Sequence, residues 1–248
     1  MLNVNEMREF VADCDVRPLF VTVSGAHLYG FDSPDSDIDL RGCHLLPLED
    51  LVGLKAPEET YQQDVDHQGW EIDLVSHDVG KYLRLLVKNN GYILEQVFSP
   101  LVVLGQDFLD ELRPLASRCV TRFHYHHYRG FYSTQRNLIE KQQPRKAKAI
   151  LYAYRVLMTG IHLMKTGEVE ANLPRLNESF RLSFIDDLIA QKTQEHIAAN
   201  VDWDFHAGQL DALEAKLNQA FEDSTLPETR DRDGVNRLLV RLRLEQPS

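Results

Sequence analysis

The spacing of apolar and polar residues changes character near residue 100. Before that point short apolar runs alternate with turn-forming clusters, which predicts strands and short helices; after it the helical period dominates. Glu6–Cys14 has the spacing of a short helix. Arg17–Val23 (RPLFVTV), rich in branched and aromatic residues, predicts a strand that ends where the chain turns at Ser24-Gly25. Tyr29–Asp37 is dense in Gly, Ser, Pro and Asp and predicts a loop, and Ile38–Leu46 alternates as a second strand. Pro47–Val52 reads as a helical turn, and Thr60–Gln63 with Trp70–Ser76 as a hairpin across DVDHQG. His77–Lys88 places Val79, Tyr82, Leu83, Leu86 and Val87 on one helical face, and Gly91–Phe98 predicts another helix, ended by Ser99-Pro100. Helices follow over Gln106–Ser117, Arg122–Lys141, Pro144–Lys165, Phe180–Asn200, Gln209–Phe221 and Gly234–Glu245. The expected architecture is α+β: a small mixed-sheet domain over residues 1–104, then an all-helical domain over residues 105–248.

With 43% hydrophobic and 26% charged residues, the chain has the composition of a globular protein. No apolar run approaches the roughly 18–20 residues that span a bilayer. The N-terminal MLNVNEMREF lacks the basic and apolar regions of a secretory signal, so a cytoplasmic location is the expectation. Cys14, Cys43 and Cys119 are odd in number and far apart, which predicts buried or spare thiols and no disulfide framework. The net charge of −11 argues against a general nucleic-acid binder, but its distribution is uneven. Between Arg113 and Arg155 stand ten Lys or Arg and one acid, Glu140; that segment carries +9 and the other 205 residues carry −20. A polyanionic ligand is one explanation, and a basic face paired with acids elsewhere in the chain is the other.

The chemistry concentrates between Val23 and Gly42. A strand ends at Gly25, where backbone N–H groups can approach an anion with no Cβ in the way. A dozen residues later Asp37-Ile38-Asp39 opens the second strand, and alternation puts Asp37, Asp39 and Arg41 on one face. Two carboxylates so spaced can bracket hard cations such as Mg²⁺, and a pair of such ions about 3.5–4 Å apart serves in-line nucleotidyl transfer. A bare Asp-x-Asp is also what a polar loop looks like; the combination of strand, glycine, spacing and strand is more specific.

These residues resemble a known signature. Gly25-Ala26, ten residues, then Asp37-x-Asp39 is similar to the DNA polymerase β-like nucleotidyltransferase superfamily. Ser24-Gly25, Tyr29-Gly30, Ser36-Asp37-Ile38-Asp39 and Arg41-Gly42 more narrowly resemble the nucleotidyltransferases associated with bacterial RNA repair. Asp73-Leu-Val-Ser, Lys81-Tyr-Leu-Arg, Asn90, Leu94-Glu95, Lys148, Arg155 and Gly160 extend that resemblance to about residue 170. It implies a polymerase-β-like sheet domain, Mg²⁺ or Mn²⁺ as cofactor and a nucleoside triphosphate as substrate. It further implies a third metal-binding carboxylate on a neighbouring strand that helps deprotonate the attacking hydroxyl. Glu71 and Asp73 share a strand face and are the candidates, and the resemblance points to Asp73, whose eight-residue spacing to Lys81 is similar to the group's pattern. Where the superfamily has Gly-Ser, this chain has Gly25-Ala26, with Ser24 ahead of the glycine.

Lys148 and Arg155 lie seven residues apart on one helical face with Tyr152 between them. A triphosphate contact for the cations and base stacking for the tyrosine are expected there, against a solvated basic stripe. Arg122–Arg129 mixes aromatic and basic residues, and His124 with His127 has the spacing of a metal pair; a stacking surface for single-stranded nucleic acid or plain helix packing are the other readings. The chain has no Walker P-loop, no Gly-x-Gly-x-x-Gly after a strand and no Gly-x-Ser-x-Gly. The expected function is metal-dependent transfer of an NMP from an NTP to an acceptor hydroxyl, with release of pyrophosphate. The catalytic and metal residues are Asp37, Asp39 and Asp73; Ser24, Gly25, Lys148, Tyr152 and Arg155 hold the nucleotide. The resemblance and the basic segment 113–155 suggest an RNA 3′ end as acceptor. The alternatives are transfer to a protein or small-molecule hydroxyl, and a module that senses nucleotide without turnover.

Overall fold

A computed structural model describes residues 4–193 and 201–245. The chain forms two compact units: one of Met1–Gly25, Asp37–Cys119 and Thr229–Ser248, the other of Ala26–Ser36 and Val120–Glu228. Neither unit follows the expected boundary at 104/105. An early loop belongs to the helical unit, and the last helix returns to the sheet unit.

The sheet unit is a five-stranded mixed sheet in the order β3-β4-β2-β1-β5, with β1 Pro18–Val23, β2 Ile38–His44, β3 Thr60–His67, β4 Trp70–Asp78 and β5 Val102–Leu104. Only β2 and β4 are parallel, and they pair without a slip from Ile38↔Ile72 to His44↔Asp78. The hairpin β3–β4 turns more tightly than expected. Gln68 and Gly69 both take positive φ (54° and 86°), the conformation of a two-residue hairpin loop, so DVDH extends β3. Side-chain alternation then gives the sheet two chemically distinct faces. Val21, Val23, Ile38, Leu40, Ile72 and Leu74 pack with Met7, Phe10 and Val11 of α1 (Val4–Ala12). The opposite positions of β2, β4 and β3 carry Asp39, Arg41, Asp73, Glu71, Asp64 and Asp66.

The helices of this unit are α3 (Leu48–Val52), α4 (Val79–Leu86), α5 (Gly91–Phe98), α6 (Gln106–Ser117) and α12 (Arg232–Leu244). Asp78 and Asn90 cap α4 and α5 by accepting from the N–H groups of Gly80 and Tyr92. The fully buried Asp78 also accepts from Leu46 N–H and from the Arg243 guanidinium of α12.

In the helical unit, α2 (Gly25–Tyr29) leads into an irregular stretch that ends at Ser36. The long helices are α7 (His124–Lys141), α8 (Ala147–Thr166) and α11 (Trp203–Glu222), with the shorter α9 (Leu173–Phe180) and α10 (Ile185–Thr193). Two expectations change here. The helix predicted over Phe180–Asn200 is α10, which starts only at Ile185; residues 194–200 lie outside the described residues. Helix α11 begins six residues earlier than the apolar spacing indicated, because Asp202 caps it by accepting from Phe205 N–H. The loop before Asp37 is fastened by Lys192 of α10, which is 6% exposed and donates to Ser33 Oγ (2.7 Å) and Ser36 Oγ (3.0 Å). Among the described residues no helix is long and apolar enough to cross a membrane.

The ion pair between Arg243 and Asp78 joins the last helix to the capped start of α4. Removing its cation leaves a buried carboxylate with two N–H donors only. Arg243→Ala is expected to destabilise the protein by about 3 kcal/mol, read as a lower urea midpoint at unchanged m-value.

Candidate active site

The site is built where β1 ends and β2 begins. Asp39 and Asp73 are register partners on adjacent parallel strands, so their carboxylates stand side by side on one face. Adjacent strands are about 4.8 Å apart, and like charges so placed repel. Arg41 offsets this. One Nη donates at 2.7 Å to both Asp39 Oδ1 and Asp73 Oδ2; the other donates to the carbonyls of Asp73 (2.7 Å) and Leu40 (2.9 Å). The three side chains are 21–32% exposed, so solvent and ligands reach them. Asp73 Oδ1, the oxygen that Arg41 does not use, is shielded and has no hydrogen-bond partner among the described residues.

Gly25 closes the other side. Its φ is +61°, and a Cβ there would fall 1.8 Å from Asp39 Oδ2. The glycine expected to admit a phosphate therefore also makes room for the Asp39 carboxylate. Ser24 is buried, and its N–H donates to the Asp39 carbonyl at 2.8 Å, which ties the end of β1 to the start of β2. Asp37 is exposed immediately before β2. Beyond it, Asp37, Asp73, Glu71, Asp64 and Asp66 line a cleft of about 410 Å³. Asp64 and Asp66 were hidden in the sequence because a run of polar residues ending in glycine reads as a turn. The signal was their alternation with Val65, which continues the strand pattern.

Among the described residues no three His, Cys, Asp or Glu side chains converge as a complete metal cage. That is compatible with Mg²⁺, which is usually bound through one or two carboxylates and completes its octahedron with water and substrate phosphate. The donor set fits this ion: Asp39 and Asp73 supply hard oxygens, and Asp73 Oδ1 is an acceptor with no donor among the described residues.

The residues expected at the triphosphate from the helical part fare differently. Lys148 is exposed on α8. Tyr152 packs edge-on against Tyr29 and Phe31, with ring centroids 5.6 and 5.3 Å away. Arg155 is fully buried, with its guanidinium 3.9 Å above the Tyr29 ring, so it is not presented to a ligand. Its observed contact is that of a cation stacked on an aromatic face, and its Nε and one Nη are shielded with no hydrogen-bond partner among the described residues. Among the described residues His124 and His127 belong to no group of three side chains that could hold a metal ion. His124 is fully buried and accepts from Thr121 N–H at the start of α7. Burial, and then the Arg155 guanidinium, push the His127 imidazole down to about 4.

The basic segment 113–155 is largely matched within its own unit. In the sheet unit Arg113 pairs with Asp110 and Arg118 with Asp231. In the helical unit Arg122 pairs with Glu228, Arg129 with Glu214, and Arg136 with Glu140 and Asp211. The acidic C-terminal part is thus a charge partner of the basic helices. Most of the +9 segment is not an open polyanion surface.

A mixed sheet that sets carboxylates from adjacent parallel strands side by side, beside a glycine at the end of the preceding strand, is the arrangement expected of a nucleotidyltransferase catalytic domain. The chain belongs to the RNA repair pathway DNA polymerase beta family, RlaP, whose sequence pattern matches residues 3–241. It is similar to an uncharacterized protein of Methanocaldococcus jannaschii, 31% identical over 155 residues; the match covers 62% of this chain and 63% of that protein, under two thirds of its length. Among solved structures it is similar to a nucleotidyltransferase-like protein from Exiguobacterium sibiricum at 13% identity, over 86% of this chain and 71% of that one, with a TM-score of 0.31.

Two outcomes follow from this geometry. Gly25→Ala forces either the Asp39 carboxylate or the turn to move, and is expected to cost about 2 kcal/mol of stability, measured by urea denaturation. His127 has a folded pKa below its ordinary 6.5, so the unfolded chain binds the extra proton. Stability is full above pH 6.5 and falls as pH drops towards 4, by up to about 3 kcal/mol from this group. His127→Gln is expected to weaken that dependence, seen by comparing urea midpoints at neutral and acid pH.

Proposed function

We propose that this protein transfers a nucleoside monophosphate from an NTP to an acceptor hydroxyl. The observation that carries the proposal is the in-register pair Asp39 and Asp73, bridged by Arg41 and backed by Gly25. Asp37, Asp39 and Asp73 are the residues that would hold Mg²⁺. Bound there, the ion supplies neutralisation of charge on the transferring phosphate. Arg41 orients both carboxylates, and on this reading the Asp73 carboxylate is the group that takes the proton of the acceptor hydroxyl. The acceptor oxygen bonds to the α-phosphorus, the bond to the bridging oxygen breaks, and pyrophosphate leaves. On this reading Ser24 and Gly25 border the phosphate side of the site.

An RNA 3′ end is the acceptor that the family's RNA repair description favours. The acidic cleft favours a second reading, a neutral or basic acceptor such as a protein or small-molecule hydroxyl. Ala26 in the place of the superfamily's serine is the feature that fits a nucleotide sensor.

The test is transfer of α-³²P from each NTP, with Mg²⁺ or Mn²⁺, to short RNA or to protein. Label on RNA that disappears in Asp37→Ala and Asp39→Ala supports the proposal. Arg41→Gln is expected to lower the rate about 10- to 100-fold in a folded protein. NTP binding without pyrophosphate release would replace the enzyme reading with the sensing one.

A further inference from the structure

Four cations of the basic segment lie together at the corner between α7 and α8: Lys141, Arg145, Lys146 and Lys148. No acid occurs between Glu140 and Glu168, and Glu140 is taken up by Arg136 at 2.7 Å. Lys141 and Lys146 are exposed, and among the described residues Lys141, Arg145 and Lys146 have no carboxylate within ion-pair distance. The arginines earlier in the segment all have one. Arg145 lies over the Trp203 ring with its guanidinium carbon 5.1 Å from the centroid, and Arg136 lies 4.8 Å from the same ring. The shielded Arg145 Nε has no hydrogen-bond partner among the described residues. Two carboxylates flank Trp203: Asp202 accepts the Phe205 N–H as the α11 cap, and Asp204 stands in the first turn of that helix.

We infer that this corner is a docking surface for the phosphodiester backbone of single-stranded RNA. Exposed lysines act as point charges towards successive phosphates, and a guanidinium plane held on an indole offers a flat cationic surface of the kind unpaired bases stack on. A carboxylate would use the lysines and the N–H edge of Arg145 equally, but only an unpaired base makes use of the flat face of the Arg145–Trp203 platform. The inference deepens the proposed function, and rests on it only for the claim that the bound RNA is the acceptor.

The experiment is fluorescence anisotropy of a fluorescein-labelled single-stranded RNA of about 12 nucleotides, titrated with the full chain at several salt concentrations. Three phosphate contacts predict a slope of log K against log salt near −2 (about −0.7 per contact). The variant Lys141→Ala/Arg145→Gln/Lys146→Ala, on the surface of a helix junction, is expected to weaken binding at least about tenfold and to flatten the slope. Circular dichroism and the urea midpoint check that it folds. Asp39→Asn is expected to keep RNA affinity while losing transfer. RNA binding that depends on the corner, with no transfer in wild type, would uphold the inference and sink the proposed acceptor. Transfer to RNA with unchanged affinity and KM in the corner variant would sink the inference alone. Absence of RNA binding, equal affinity for polyglutamate, or capture by phosphatidylserine vesicles in place of RNA would each overturn it.

Discussion

The structure of the site depends on one guanidinium. Asp39 and Asp73 face each other across parallel strands, where two like charges would push the ladder apart. Arg41 spans both carboxylates and two backbone carbonyls at once. A lysine has no planar fork with which to do so. The arginine belongs to the same strand as Asp39, two residues on, so the element that brings the charge also brings its partner. Because Arg41 takes one oxygen from each acid, the pair is oriented before any ligand arrives, and the cost of ordering it is met in folding rather than in binding.

That arrangement sets the rest of the sheet unit. Asp39 needs the space left by Gly25, so β1 must end at a residue that tolerates φ of +61°. Asp39 and Asp73 need in-register pairing, which here is supplied by the parallel strands β2 and β4, with the connection through α3 and β3 carrying the chain back. The apolar residues between the acids, Ile38, Leu40, Ile72 and Leu74, fix that register from the other face. A slip of one residue would bury the carboxylates under α1 and expose the core. Packing on one face therefore maintains electrostatics on the other.

Much of this was legible along the chain, and what was not shares a cause. The strand β1, the alternation from Asp37 to Arg41, and the capped helices after Asp78 and Asn90 are local patterns. The choice of Asp73 over Glu71 rested on the resemblance, whose pattern carries that spacing to Lys81; in the ladder Asp73 lies opposite Asp39. Pairings between distant segments left no local trace. Nothing in DVDH says that Asp64 will face Asp73 across a strand, because aspartate is poor in strands and common in turns. Nothing near Arg155 says that Tyr29 will lie 3.9 Å beneath it, so a buried cation looked like one end of an exposed stripe. The recruitment of α12 into the sheet unit by Arg243 and Asp78 joins residues 165 positions apart.

The division of labour among the basic residues follows the same physics. Composition alone gave +9 over residues 113–155 and could not say whether that charge was neutralised inside the molecule or offered outside it. The distances separate the two by residue type. Arginines 113, 118, 122, 129 and 136 are fixed by carboxylates, and Arg155 is stacked on an aromatic ring. The lysines at 141, 146 and 148 are exposed. A guanidinium is weakly hydrated and can hold several partners in a fixed plane, so it is the easier cation to draw into a fold; an ammonium is strongly hydrated and stays where water is. Arg145 combines the two situations, lying on Trp203 yet with no carboxylate beside it among the described residues. Within residues 113–155, Lys141, Arg145 and Lys146 are the cations with no carboxylate at ion-pair distance among the described residues, while the acids on the sheet face include the pair that Arg41 bridges. The uneven charge read along the chain thus resolves into an internal network and a short cationic surface, which a net charge of −11 conceals.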